Sequence, residues 1–168
     1  MPTAPSIRNY SIPRGTFTFT PTGGGATVLG NVRECVYTPD ITKKDHFSTQ
    51  VGIRTKDLSV VSQLGASMRM TLDELTDFNL AMYLLGDLGT SGTIGALTNT
   101  TIVGSLSMTG TNTVGPMINF TGDVSLQPAG DLTLVQDGDD WLGIPVSAEV
   151  LVSGGAYGHW TIVDQPTA

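Results

Sequence analysis

The first clear pattern along the chain is Gly15-Thr16-Phe17-Thr18-Phe19-Thr20, with an aromatic residue at alternate positions. This alternation puts Phe17 and Phe19 on one face and the threonines on the other, as in a half-buried strand. Gly23-Gly24-Gly25 predicts a flexible turn. Residues 32–37 read as a second strand. Residues 38–49 then read as a long protruding loop, because Pro39 stands near the start and Asp40, Lys43, Lys44, Asp45 and His46 follow. Alternation returns over 58–70, where Ala66, Met68 and Met70 oppose Ser67, Arg69 and Thr71.

The period then changes. Leu72, Leu75, Phe78, Met82 and Leu85 follow helical spacing and predict an amphipathic helix over about 72–85. Thr71 is the expected N-cap, with Glu74 three residues on completing a capping box. Met70 and Leu75 would form the accompanying hydrophobic staple. Asp73, Glu74 and Asp77 lie near the positive end of the helix dipole, and Gly86 supplies the C-terminal stop. Such a helix needs a sheet to cover its apolar stripe.

Residues 87–101 are rich in Gly, Thr and Ser and predict a mobile surface loop. Strands are predicted at 101–108, 117–126, 132–136, 144–152 and 159–163. Turn signals separate them at Asn112, Pro128-Ala129-Gly130, Asp137-Gly138-Asp139 and Gly154-Gly155. The expected fold is therefore mostly β: one domain over 1–168, an antiparallel sandwich or barrel with one flanking helix and a long loop after the second strand.

Composition agrees with that class. Charged residues make up only 14% of the chain, and Thr, Ser and Gly, which suit pleated surfaces and turns, take their place. The single cysteine, Cys35, has no internal disulfide partner, and no apolar signal segment is visible at the N-terminus, so synthesis in the cytosol is expected. The densest apolar stretch, 75–85, is too short to cross a bilayer. The net charge of −7 hides a polarity: all eight Lys and Arg lie in the first 70 residues, against four acids, while eleven acids and no base follow. Halves of balance +4 and −11 suit a head-to-tail contact between copies, which generates rings or filaments. The bases are too few and scattered for a nucleic-acid site.

Few residues suggest chemistry. His46 and His159 have no nucleophile elbow near them, and neither a helical His pair nor a Cys/His cluster offers metal-ligand spacing. Asp137-Gly138-Asp139-Asp140 departs from the EF-hand pattern and reads as a hairpin turn. Thr22-Gly23-Gly24-Gly25 lacks the Lys-Ser/Thr ending of a phosphate loop. Cys35 sits within a strand pattern and reads as a packing residue. No enzyme, cofactor or metal is expected.

The ordered set of features resembles the tail tube (major tail) proteins of long-tailed bacteriophages. It runs from the early Gly-x-Phe-x-Phe strand to Leu29-Gly30-Asn31 before the second strand. The charged loop ending Asp45-His46-Phe47-Ser48 follows, then Gly52-x-x-x-Lys56-Asp57 before the long alternating strand. Thr71-Leu72-Asp73-Glu74, Phe78-Asn79-Leu80-Ala81 and Leu84-Leu85-Gly86 come next, and Pro128-Ala129-Gly130-Asp131-Leu132 through Ile144-Pro145-Val146 closes the series. The likeness spans most of the chain and is strongest over 15–86.

The resemblance implies a structural virion protein that forms six-fold rings, stacked into a hollow tube that delivers DNA without specific binding. It implies contact with tape measure and tail terminator proteins, no membrane association, and a place in the virion tail after assembly in the host cytoplasm. The loop residues Asp40, Lys43, Lys44, Asp45, His46 and Phe47, with Arg54 and Lys56 just beyond, would touch neighbouring subunits. The alternative reading is a β-sandwich binding module or adhesin, with Trp141, Tyr157 and Trp160 as candidate binding aromatics.

Overall fold

The computed structural model describes residues 7–50, 52–89, 92–135 and 137–164. A short 3-10 turn at Ile7–Asn9 precedes β1 (Gly15–Pro21), β2 (Thr27–Val28), β3 (Val32–Ser48) and β4 (Thr55–Leu72). Helix α1 (Asp77–Leu84) follows, then β5 (Ile102–Gly110), β6 (Met117–Pro128), β7 (Ile144–Val150) and β8 (His159–Val163). The protein is mostly β with a single helix among the described residues. The strands form one antiparallel sheet in the order β2-β1-β5-β6-β7-β4-β3, and β8 pairs the first half of β6.

Register explains the core. Phe17 and Phe19 pair Met108 and Leu106, while Met68, Met70 and Leu72 pair Ala148, Val146 and Ile144. Cross-strand partners share a face, so the buried apolar sets of β1, β5, β7 and the inner part of β4 fall on the same side. Apart from Met108, which is partly buried against it, these side chains form one buried cluster with Phe120, Val124 and Leu126. Each large member removed from water contributes roughly 1.5–3 kcal/mol.

The sheet cannot be flat. Its end strands β2 and β3 are joined by residues 29–31 alone, a link that reaches at most about 15 Å between Val28 and Val32. Seven strands side by side would separate those ends by about 29 Å. The sheet therefore curls around its core until its end strands come within that reach, and 29–31 is the seam.

The seam's backbone groups are satisfied from both sides. Leu29 N donates to Phe17 O at 2.9 Å and Asp73 N donates to Asn31 O at 2.9 Å. Asn31 N donates to the Glu74 carboxylate at 2.9 Å, and the buried Asn79 Nδ2 donates to Leu29 O at 3.0 Å. Gly30 has φ +77°, and a Cβ there would strike the Glu74 carboxylate, so glycine is required on two counts. The Leu29-Gly30-Asn31 and Asp73-Glu74 motifs meet here.

Several sequence expectations are corrected. The helix starts five residues later than expected: its N-cap is Thr76, whose hydroxyl accepts from Asn79 N at 3.1 Å. Thr71 and Leu72 belong to β4, and Leu75 is 61% exposed, so neither the capping box nor the staple forms. Leu72 fits both the period-2 and the helical pattern, and pairing with Ile144 in β7 decides for the strand. The left-handed stop is Leu85, φ 50°, not Gly86.

Residues 38–48 are not a loop but the outer part of β3, paired with β4 as far as Ser48 opposite Thr55. Pro39 is tolerated because β3 is an edge strand. Residues 132–135 form no strand, and Gln136 lies outside the described residues. Conversely, β2 had no sequence signal at two residues long.

The segment 87–101 has no regular structure, and its Thr90 and Ser91 lie outside the described residues. Its later part is tied to the helix end. Leu97 N and Asn99 N donate to Leu84 O and Leu85 O at 2.7 and 2.9 Å, filling carbonyls a helix C-terminus leaves open.

Candidate assembly surface

Strands β3 and β4, of 17 and 18 residues, outrun the rest of the sheet. β7 covers β4 only from Ser67 to Leu72. Beyond that point the two strands continue as a ribbon for ten β3 residues, from Pro39 opposite Ala66 to Ser48 opposite Thr55, about 33 Å at the strand rise. Register shifts at Thr42/Lys43 and His46/Phe47 are bulges that bend and twist the ribbon.

All eight predicted contact residues lie on this arm or at its tip, and the structure brings several together. Lys56 Nζ lies 2.8 Å from Asp45 Oδ1, and Ser59 Oγ donates to the same oxygen at 2.7 Å. The hydrogen bonds from Lys56 and Ser59 hold the Asp45 carboxyl below its usual range. His46 Nδ1 donates to Asp57 Oδ1 at 2.7 Å. The Arg54 guanidinium stacks over the Phe47 ring, 4.6 Å from its centroid. Asp40, Lys43 and Lys44 are exposed.

Sequence reasoning missed the apolar half of this surface. Ile41, Leu58, Val60, Val61 and Leu64 are between 48% and 56% exposed. Ile41 pairs Leu64 and Lys43 pairs Val61, so these continue the core-facing side of the body; Lys44–Val60 and His46–Leu58 occupy the other side. The serines spaced among Leu58, Val60, Val61 and Leu64 were the available signal. An isolated two-stranded ribbon is marginal in water, and five half-exposed aliphatic residues on its two faces favour a covered state.

Other candidates are dispersed. Trp160 packs on Phe120 and edge-on to Tyr37, with centroids 4.7 and 5.0 Å apart, and Tyr157 OH donates to Leu64 O at 2.7 Å, bracing the arm's root. Trp141 lies on the β6–β7 loop, 84% exposed. His159 starts β8. Cys35 is partly buried, and desolvation, with Glu34 adding a smaller push, raises its thiol pKa to about 11.

A concavity of about 700 Å³ opens between the Gly23–Gly25 turn and residues 86–89, and among the described residues Asp87 is the one titratable residue lining it. Among the described residues no group of three or more His, Cys, Asp or Glu is placed to hold a metal ion. No helix among them is long and apolar enough to cross a membrane. Comparison with protein-family models gives no match to this chain, and comparison with curated proteins gives none either.

Proposed function

We propose that this chain is a structural subunit that assembles with copies of itself into stacked rings, forming a hollow phage tail tube that conducts DNA. The observation that carries the reading is the β3–β4 arm. It projects past the body with aliphatic residues exposed on both faces, a cost in a lone monomer and a use in an assembly. The ordered resemblance to tail tube proteins supplies the kind of assembly, with tape measure and terminator proteins as further partners.

Charge supports contact between unlike surfaces. Lys43, Lys44 and Arg54 lie on an arm of one copy, while every residue after Arg69 that bears a formal charge at neutral pH is acidic. Each exposed pair is worth only about 0–1 kcal/mol, but a ring repeats the contact in every subunit, and repetition makes weak contacts count. Acids left over on the channel wall would repel DNA phosphates and let the duplex slide; a basic wall would hold it. Salt should therefore slow tube growth.

The test is negative-stain electron microscopy with sedimentation of the purified chain. Rings or tubes are the expected result. Because Ile41 and Leu64 are cross-strand partners, replacing 42–63 by an Asn-Gly turn closes a short hairpin. That variant should stay folded and monomeric. A wild-type chain that remains a discrete monomer at high concentration sinks the assembly and returns the binding-module reading.

A further inference from the structure

The β6–β7 connection, residues 129–143, packs Leu132 against the core but leaves the apolar residues just after it uncovered. Residues 132–135, Leu-Thr-Leu-Val, have the composition and alternation of a strand, yet none forms there. Leu134 and Val135 are 84% and 92% exposed. Both ends are anchored: Tyr83 OH donates to Gly130 O at 2.7 Å and Arg33 Nη2 to Trp141 O at 3.3 Å. The apolar middle is flanked by Asp131 on one side and by Asp137 and Asp139 on the other.

The matching surface is the outer edge of β3. β3 ends the sheet, so among the described residues no strand pairs that edge. Edge lysines discourage pairing with a neutral strand. Lys43 and Lys44 would do this here, and by the same charge they favour a strand flanked by carboxylates.

The loop cannot reach its own arm. Lys43 pairs Val61 and Ile144 pairs Leu72, and 72 − 61 = 11 residues of β4 span about 36 Å. The loop of 143 − 129 + 1 = 15 residues, tied to adjacent strands at both ends, extends at most about 25 Å when doubled back. Loop and arm edge thus lie toward opposite ends of one subunit, the arrangement of a head-to-tail contact that repeats without limit.

We propose that residues 132–135 of one copy add as a strand to the outer edge of β3, around Ile41–Lys44, of the next copy. With the added strand parallel to β3, Asp137 and Asp139 then lie toward Lys43 and Lys44, and Asp131 lies toward the Ile41 end. Main-chain hydrogen bonds supply affinity, and the flanking charges select the partner. This rests on the self-assembly reading and names the contact that links successive copies.

Sedimentation velocity on the full chain tests it with two sets of variants, thermal melting serving as the folding control. Leu134→Asp with Val135→Asp should abolish stacking with an unchanged melting temperature, since both side chains are exposed. Lys43→Glu with Lys44→Glu, or Asp137→Lys with Asp139→Lys, should each weaken association about tenfold. An equimolar mixture of the two charge-reversed chains should recover association between unlike copies. Stacking that survives the Leu134/Val135 change, or reversed chains that fail to recover in the mixture, overturns the pairing while leaving self-assembly in place. A wild-type chain that never associates overturns both.

Discussion

Strand β4 passes through two environments. From Ala66 to Leu72 it alternates buried and outward residues, paired with β3 on one side and, from Ser67 on, with β7 on the other. From Thr55 to Leu64 no residue is buried, and β3 is its one partner. The backbone is extended in both halves, but for different reasons. The inner half is held by burial, and its register is fixed because a one-residue slip would turn Met68 and Met70 to solvent. The outer half is held by pairing and a few polar contacts, and it tolerates two bulges. A common secondary structure can thus conceal unlike stabilities.

The widest test of that contrast is truncation in each half. Phe19→Ala, at a fully buried ring, should cost about 3–5 kcal/mol in chemical denaturation. Val60→Ala on the arm should change the midpoint by no more than about 0.5 kcal/mol while reducing assembly. Equal costs would mean that the arm belongs to the cooperative core.

The seam should respond next. Gly30→Ala should destabilise by about 1–3 kcal/mol, from the left-handed backbone and the crowding by Glu74. In a Glu74→Ala background the penalty should shrink toward the backbone part alone, read as a non-additive double-mutant cycle. Full additivity would show that the carboxylate does not press on Gly30.

A smaller effect separates the two caps. Thr76→Ala should cost about 1 kcal/mol by urea denaturation, whereas Thr71→Ala should lose no cap contribution. The reverse order would restore the earlier helix start.

The smallest concerns acid. Asp45 has its carboxyl pKa lowered from the ordinary 3.8 by hydrogen bonds from Lys56 and Ser59. Its contribution to the arm is present above that value and is lost as pH falls through the depressed one. Amide exchange of the arm should therefore rise, relative to the body, below about pH 4, with Asp45→Asn abolishing the difference. An arm whose relative protection does not change with acid would rule out Asp45 as a clasp.

What the sequence discloses follows the same division. Where one face is buried, alternation located the strands closely: Phe17 and Phe19 for β1, Ala66 to Met70 for β4, and β5 to β7 within about two residues at most ends. Along 38–48 both faces are uncovered, and Pro39 with the charges of 40–46 suggested a loop, although the partnering residues 58–64 did read as strand. The helix start was misplaced because Thr71-x-x-Glu74 is a valid capping box locally, and only pairing with β7 could overrule it. The candidate contact residues stood out by charge; their aliphatic neighbours carried only the weaker signal of interspersed serines, since exposure is a tertiary fact. At 132–135 the strand expected from the pattern does not form, and no described residue pairs that segment.

The pairing of β1 with β5, Gly15 opposite Gly110, has a consequence for the order of events during synthesis. Some 95 residues separate those partners, and closing so long a loop is slow, so the body cannot form until β5 has left the ribosome. The β3–β4 hairpin needs only a local turn and can form within microseconds of emerging. The nascent chain therefore exposes its stickiest ribbon before it has a core, next to ribosomes translating further copies. Lys43 and Lys44 on the ribbon's edge would then act as a temporary guard against premature pairing, in a period when the acidic residues beyond position 70 have not all been made.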